Sequence, residues 1–283
     1  MSEREPIHEP ALPFFDEEAA QIHDAADRFE HSSAQELLEW ALDRFHPRLA
    51  ISAAGGVDGM ALVDMAWRIN PDVRVFTLDT GRVPPETYAL FEEVRERYGI
   101  DVEFEFPERT AVETLVNAEG PNLMYRSVDL RIACCEIRKV APLKRKLATL
   151  DAWIAGLRRE QWVSRRNIAK VELDRDHGGI VKVNPLADWA LDAVWDYVRK
   201  HEVPYHELFD QGFTSIGCAP CTRAVLPGQP ERAGRWWWEE DTDKECGLHC
   251  SVQLAGTKSD RERAEASARA SDVEASGLAV EEA

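Results

Sequence analysis

The sequence predicts an α/β fold, a parallel twisted sheet flanked by helices, with an irregular carboxy-terminal segment after it. From residue 48 onward, short apolar runs alternate with amphipathic stretches of helical period. That order, strand, helix, strand, helix, strand, calls for parallel strands joined by right-handed crossovers. Residues 212–247 then lose periodicity and fill with Gly, Pro, Cys and Trp, a composition that needs an anchor other than an apolar face. The length of 283 residues and the 44% hydrophobic content suffice for one large domain or two small ones.

The first 47 residues read as an acidic helical leader. Residues 48–52 form a short buried strand that ends in the glycine turn Ala54-Gly55-Gly56-Val57-Asp58-Gly59. A helix follows, because Leu62, Val63, Met65, Ala66 and Ile69 recur at helical spacing, and Pro71 stops it. Residues 73–78 predict a second strand, 85–98 a second helix and 102–106 a third strand. A helix over about 131–150 carries a cysteine pair near its start, and 152–155 form a fourth strand. Leu191, Val194, Trp195 and Val198 mark another amphipathic helix, closed before Pro204. The division expected is a leader (1–47), an α/β core (48–215), a cysteine-bearing segment (216–256) and an acidic, disordered tail (257–283).

A net charge of −18 argues against a general nucleic-acid-binding surface, so any anionic ligand must be met by a local basic pocket. The polar start and the lack of any run near the roughly 18 apolar residues of a membrane span point to a cytoplasmic protein without membrane contact. Reducing conditions there favour metal-bound or catalytic cysteines over disulfides.

The cysteines divide into Cys134-Cys135, Cys218-x-x-Cys221 and a lone Cys246 in the run Lys244-Glu245-Cys246-Gly247-Leu248-His249. Adjacent cysteines on a strand point to opposite faces, whereas on a helix they lie roughly 100° apart and can share one centre. Four thiolates therefore suggest an iron-sulfur or a zinc site. Cys246 is left as the candidate nucleophile, its thiolate favoured by Lys244, His249 or a cationic pocket. Cys250 has no evident partner. Lys139, four residues beyond Cys135, would lie one helical turn on and offset the charge of a cluster.

Three segments have the chemistry of an anion site. The first glycine turn sits where free N–H groups and the helix dipole attract an anion, although it matches neither a Walker A loop nor a dinucleotide fingerprint. Leu78-Asp79-Thr80-Gly81 ends the second strand at the same carboxyl edge, where open α/β sheets hold ligands. Residues 156–166 bring Arg158, Arg159, Arg165 and Arg166 into one loop, which reads as an anion clamp. Arg232 and Arg235 precede Trp236-Trp237-Trp238, three aromatics that cannot all point inward.

In this order, over roughly residues 48–250, these motifs resemble the sulfonucleotide reductases, specifically the assimilatory adenylyl-sulfate (APS) reductases that carry a [4Fe-4S] cluster. The likeness rests on residues 52–58, Leu78-Asp79-Thr80-Gly81-Arg82, Cys134-Cys135-x-x-x-Lys139 with Pro142-Leu143, the arginine loop, Cys218-Ala219-Pro220-Cys221, Gly234-Arg235-Trp236-Trp237-Trp238 and Glu245-Cys246-Gly247-Leu248-His249. It implies a PP-loop adenine-nucleotide fold. Ser52, Asp58, Leu78, Lys139, Gly156, Arg165, Arg232, Arg235 and His249 would bind the substrate, adenosine 5'-phosphosulfate, and Cys134, Cys135, Cys218 and Cys221 would hold a non-redox [4Fe-4S] cluster. Cys246 would attack the substrate sulfur, release AMP and become S-sulfonated, and thioredoxin or glutaredoxin would then liberate sulfite. The paired cysteines favour APS over its 3'-phosphorylated relative PAPS. The sequence departs from the pattern at Gly59, where such loops often carry serine, and at Trp162, where a small residue is common. A PAPS reductase is the nearest alternative. A tRNA-thiolating PP-loop enzyme fits the acidic charge and the unpaired Cys246 poorly, and an iron-sulfur or zinc sensor whose cysteine pairs order a binding surface is a third reading, separated by a sulfite assay. A homo-oligomer is left open.

Overall fold

The computed structural model describes residues 16–239 together with 245, 247 and 248. Helices α1 (Asp16–Phe29) and α2 (Ala34–Phe45) precede strand β1 (Leu49–Ser52). Then come α3 (Val57–Ile69), β2 (Arg74–Leu78), α4 (Pro85–Tyr98), β3 (Glu103–Glu105), α5 (Arg109–Glu119) and α6 (Val128–Cys135). A π-helical turn over Glu136–Val140 leads into α7 (Ala141–Leu147), followed by β4 (Ala152–Ala155), β5 (Val171–Asp174), β6 (Ile180–Val183) and α8 (Leu191–His201).

The six strands lie in the order β3-β2-β1-β4-β6-β5. Five run parallel, and the edge strand β5 pairs antiparallel with β6. Side chains alternate faces along each strand. Leu49, Ile51, Val75, Ala152 and Ile154 enter one apolar layer with α2, α3, α4 and α8. Ala50, Phe76, Trp153 and Ala155 enter the opposite layer with Leu143 and Leu147 of α7. The leader is part of this packing, since Ile22, Phe29, Leu37 and Leu38 belong to the first layer.

Three features depart from the sequence reading. Residues 171–183, which drew no assignment, form a β-hairpin through Gly178 and Gly179, both at positive φ. Helix α5 also went unread, and none of its residues is fully buried, so its apolar stripe is weak. Thirdly, the helix expected over 131–150 starts at Val128, places Cys134 and Cys135 at the end of α6, and passes through the π turn. The wider turn turns both Arg138 and Lys139 inward, with 8% of each exposed.

One polar cluster fastens the first layer. Asp64 of α3 is wholly buried and accepts hydrogen bonds from Arg68 Nε (2.7 Å), Tyr98 Oη (3.0 Å) and Tyr197 Oη (2.6 Å), which joins α3, α4 and α8. Burial alone would raise its pKa, but Arg68 and the two tyrosine hydroxyls outweigh that and hold the carboxyl below its ordinary value. Asp64→Ala leaves the buried Tyr98 hydroxyl and the half-buried Tyr197 hydroxyl without their acceptor, so a loss of about 2–4 kcal/mol is expected in urea unfolding at neutral pH. A depressed carboxyl stabilises above its unfolded pKa and ceases to as pH falls through its folded value. The gap between wild type and Asp64→Asn should therefore close in acid, below the usual carboxylate range.

Candidate active site

The strand order reverses between β1 and β4, because β2 and β3 extend to one side of β1 and β4, β6 and β5 to the other. Such a switch point opens a crevice at the carboxyl ends of the strands. One cavity lies there. Ser52, Ala53, Ala54, Gly56, Val57, Asp58 and Gly59 line it from the turn after β1, Thr77, Leu78 and Thr80 from the end of β2, and Gly156, Leu157, Gln161 and Arg165 from the loop after β4. No side chain caps the amino terminus of α3, which leaves its first N–H groups for a ligand.

Glycine is required where β4 meets α3. A Cβ on Gly156 would fall 2.9 Å from the Gly59 nitrogen and 3.1 Å from Asp58 Cβ. At Gly59, the first departure from the expected pattern, a Cβ would make only ordinary contact with Ala53, so packing does not forbid serine. Trp162, the second departure, is half-buried and extended (φ −164°) between two short 3-10 turns.

The arginine loop is not the four-pronged clamp its composition suggests. Arg158 is fully buried, with Nε on Asp58 Oδ1 and Nη2 on Glu231 Oε2 (2.7 Å). Arg159 reaches back to Glu30 of the leader (2.7 Å), and Arg166 is exposed. Of the four, Arg165 alone lines the cavity. Asp58 lines it too, with its other oxygen held by Gln161 Nε2 at 2.9 Å. Glu231, which the sequence reading missed, completes this acidic wall. Burial raises its pKa against the pull of Arg158.

Lys139, Arg232 and Arg235 line the cavity with Arg165. Arg235 donates through Nη1 to the Ile216 carbonyl (2.9 Å) and lies 4.8 Å from the Trp236 ring centroid. Its guanidinium passes over Gly217, where a Cβ would come within 2.5 Å of it. Arg131 stacks on the same ring at 4.6 Å. Held between two cations, Trp236 is buried at φ +43°, strained for a bulky residue, while Trp237 and Trp238 pack on Tyr125.

A second, smaller cavity adjoins the first and shares Lys139 and Cys218 with it. Cys134, Cys135, Cys218 and Cys221 all line it, together with Arg82, Arg131 and Arg138. All four thiols are buried and unbridged. Among the described residues no three histidine, cysteine or carboxylate groups are arranged to hold a single metal ion. Burial pushes the Cys134 thiol up, and burial beside Cys218 pushes Cys221 to about 11. For Cys218 burial is outweighed by Lys139, the Thr80 hydroxyl (3.3 Å), Arg235 and Arg138, which together hold it below the ordinary thiol value.

The candidate nucleophile Cys246 lies outside the described residues, as do His249 and Cys250. Leu248 lines the first cavity, and Glu245, another residue the reading passed over, bonds to its arginines. What signal there was lay in position, since Glu231 directly precedes Arg232 and Glu245 directly precedes Cys246.

Fold and site define an α/β domain that presents a cationic crevice at a sheet switch point, with a four-thiol cavity sharing its wall. Residues 48–224 match the phosphoadenosine phosphosulfate reductase domain, and the chain belongs to that family. It is 48% identical over 222 residues to an adenosine 5'-phosphosulfate reductase of Pseudomonas aeruginosa, covering 77% of this chain and 82% of that protein. A protein of the same name from Allochromatium vinosum is 48% identical over 194 residues, covering 69% and 75%. Among solved structures, phosphoadenylyl-sulfate (PAPS) reductase from Candida auris, in a phosphate complex, superposes with a TM-score of 0.61 at 29% identity, covering 73% of this chain and 97% of that one.

Proposed function

We propose that this protein reduces adenosine 5'-phosphosulfate to sulfite and AMP in sulfate assimilation. The observation that carries the reading is the shared wall: Lys139 and Cys218 line both the crevice at the sheet switch point and the four-thiol cavity. Lys139, Arg165, Arg232 and Arg235 supply the positive charge that a phosphosulfate needs, and the strand-edge turns supply backbone N–H groups. APS is favoured over PAPS because the crevice already holds Asp58 and Glu231 on one guanidinium, and a 3'-phosphate would add negative charge to it.

In the proposed reaction the Cys246 thiolate forms an S–S bond to the sulfate sulfur. The bond from that sulfur to the bridging phosphate oxygen breaks, and AMP departs with the electron pair. The cations stabilise the charge that gathers on this oxygen. A dithiol reductant of the thioredoxin or glutaredoxin class then attacks the Cys246 sulfur, expels sulfite and becomes the disulfide, so two electrons and the atoms balance. Cys134, Cys135, Cys218 and Cys221 fit a [4Fe-4S] cluster, since four unbridged thiols ring one cavity among three arginines and a lysine. When bound, the cluster supplies a fixed charge beside the substrate and orders the chain. No helix among the described residues is long and apolar enough to cross a membrane, and we place the enzyme in the cytoplasm, where thiol reductants are available.

Protein purified without oxygen and given APS with a reduced dithiol should yield sulfite and AMP in equal amounts. It should turn over PAPS at least tenfold less efficiently. A preference for PAPS would move the assignment to the sister activity, and absence of sulfite from either nucleotide would end it.

A further inference from the structure

Glu245 is 5% exposed, and every acceptor position of its carboxylate is taken. Oε1 accepts from Ser164 Oγ (3.0 Å) and Arg165 Nε (3.2 Å), and Oε2 accepts from Arg165 Nη2 (3.3 Å) and Arg232 Nη2 (3.1 Å). Its carbonyl accepts from Arg131 Nη1 at 2.7 Å, and the rest of the Arg131 fork is held by Glu239 at 3.0 and 2.9 Å. Arg165 and Arg232 line the crevice, but Glu245 does not. The carboxylate therefore grips both guanidiniums from outside the wall.

We propose that Glu245 is a positioning residue that sets the orientation of the Arg165 and Arg232 pair facing the substrate. The proposal rests on the APS-reducing reading above. Arg165 is fixed on its remaining side by Gln161 Oε1 at 2.5 Å, so its fork has one orientation only while Glu245 is in place. Two guanidiniums against one carboxylate leave the wall net positive, so the grip does not cancel the attraction for an anion. Arg165 and Arg232 also outweigh the effect of burial and hold the Glu245 carboxyl below its ordinary value, which keeps it charged. A fixed orientation of this kind matters more for the transition state than for the ground state. Donors must be aimed at the charge that develops on the departing phosphate oxygen, whereas AMP alone needs only the charge.

Glu245→Gln tests this, because glutamine keeps the shape but sets an NH2 donor against a guanidinium. Wild type and variant are compared for kcat at saturating APS, for AMP affinity and for melting temperature. Expected are a fall in kcat of tenfold or more and an AMP affinity within threefold of wild type, with added net positive charge offsetting the looser arginines. A kcat within threefold of wild type overturns the inference, and so does a loss of AMP affinity in proportion to kcat. Should Glu245→Gln not fold, Ser164→Ala, at an exposed position, removes one bond to the same carboxylate. It should lower kcat about threefold with AMP affinity unchanged, and an unchanged kcat overturns the inference. Wild type that makes no sulfite overturns the reading beneath the proposal, whereas an active wild type with an unaffected variant overturns the proposal alone.

Discussion

Replacing Cys246 by serine should abolish sulfite release from APS, by at least ~10³-fold, while AMP binding and iron content stay at wild-type levels. A hydroxyl is a poor nucleophile toward sulfur and cannot be reopened by a dithiol to expel sulfite, so neither half of the reaction survives. The anion site should survive, because Lys139, Arg165 and the Arg232–Arg235 pair line the crevice from three segments, and Arg235 is held against Trp236. Mass spectrometry of wild type given APS without reductant should find one added sulfonate, on the peptide that contains Cys246. If the sulfonate appears on Cys134, Cys135, Cys218 or Cys221 instead, the division of labour among the cysteines is wrong. The two readouts are independent, since one follows turnover and the other the site of the trapped group.

The central strands and their crossovers were legible because each carries its own signal. β1 and β4 are short apolar runs, buried on both faces, and α4 matches its predicted span, started by Pro85 and stopped by Gly99 in the left-handed region. What escaped was weakly marked or set by context. The β5–β6 hairpin mixes charged residues into its short strands, and these are satisfied across the sheet, as in Lys182 to Glu172 (3.0 Å). The π turn did not stand out as periodicity, because it spans only Glu136–Val140 and the phase shift it introduces falls between two short helices. Its consequence is spatial, since it turns Arg138 and Lys139 inward, where Arg138 Nη1 caps the Thr80 carbonyl at 2.6 Å.

The site divides in the same way. Residue type and spacing marked the four cysteines and the cations, because those side chains carry chemistry that few other roles require. Partner choice could not be read. Arg158 and Arg165 lie in one short loop, yet one is buried against Asp58 and Glu231 and the other faces the crevice. That difference depends on two carboxylates distant in sequence, at positions 58 and 231, and no local pattern encodes it. Glu245 was hidden likewise, since a carboxylate beside a presumed nucleophile draws no notice until Arg165 and Arg232 are found converging on it.

Lys139→Ala should lower kcat for APS by about 10²–10³, the range for removing one donor from a charge-stabilising site, while AMP affinity falls less than tenfold. Lys139 is the cation common to both cavities, 8% exposed, and it is the largest influence opposing burial at Cys218. Ground-state nucleotide retains Arg165, Arg232 and Arg235, so affinity is spread over several groups. The charge that develops as AMP departs is concentrated on one oxygen, where a buried ammonium acts more strongly than an exposed one. Lys139→Arg should recover only part of the rate, because a planar fork does not fit the space of an ammonium between Cys218 and the crevice. Iron content and visible absorption, measured on the same samples, separate the two ways the change could act. If Lys139 serves the reaction, iron stays near wild type as kcat falls. If it serves only to hold the thiols together, iron and kcat fall in step, and a kcat within tenfold of wild type removes Lys139 from the reaction altogether.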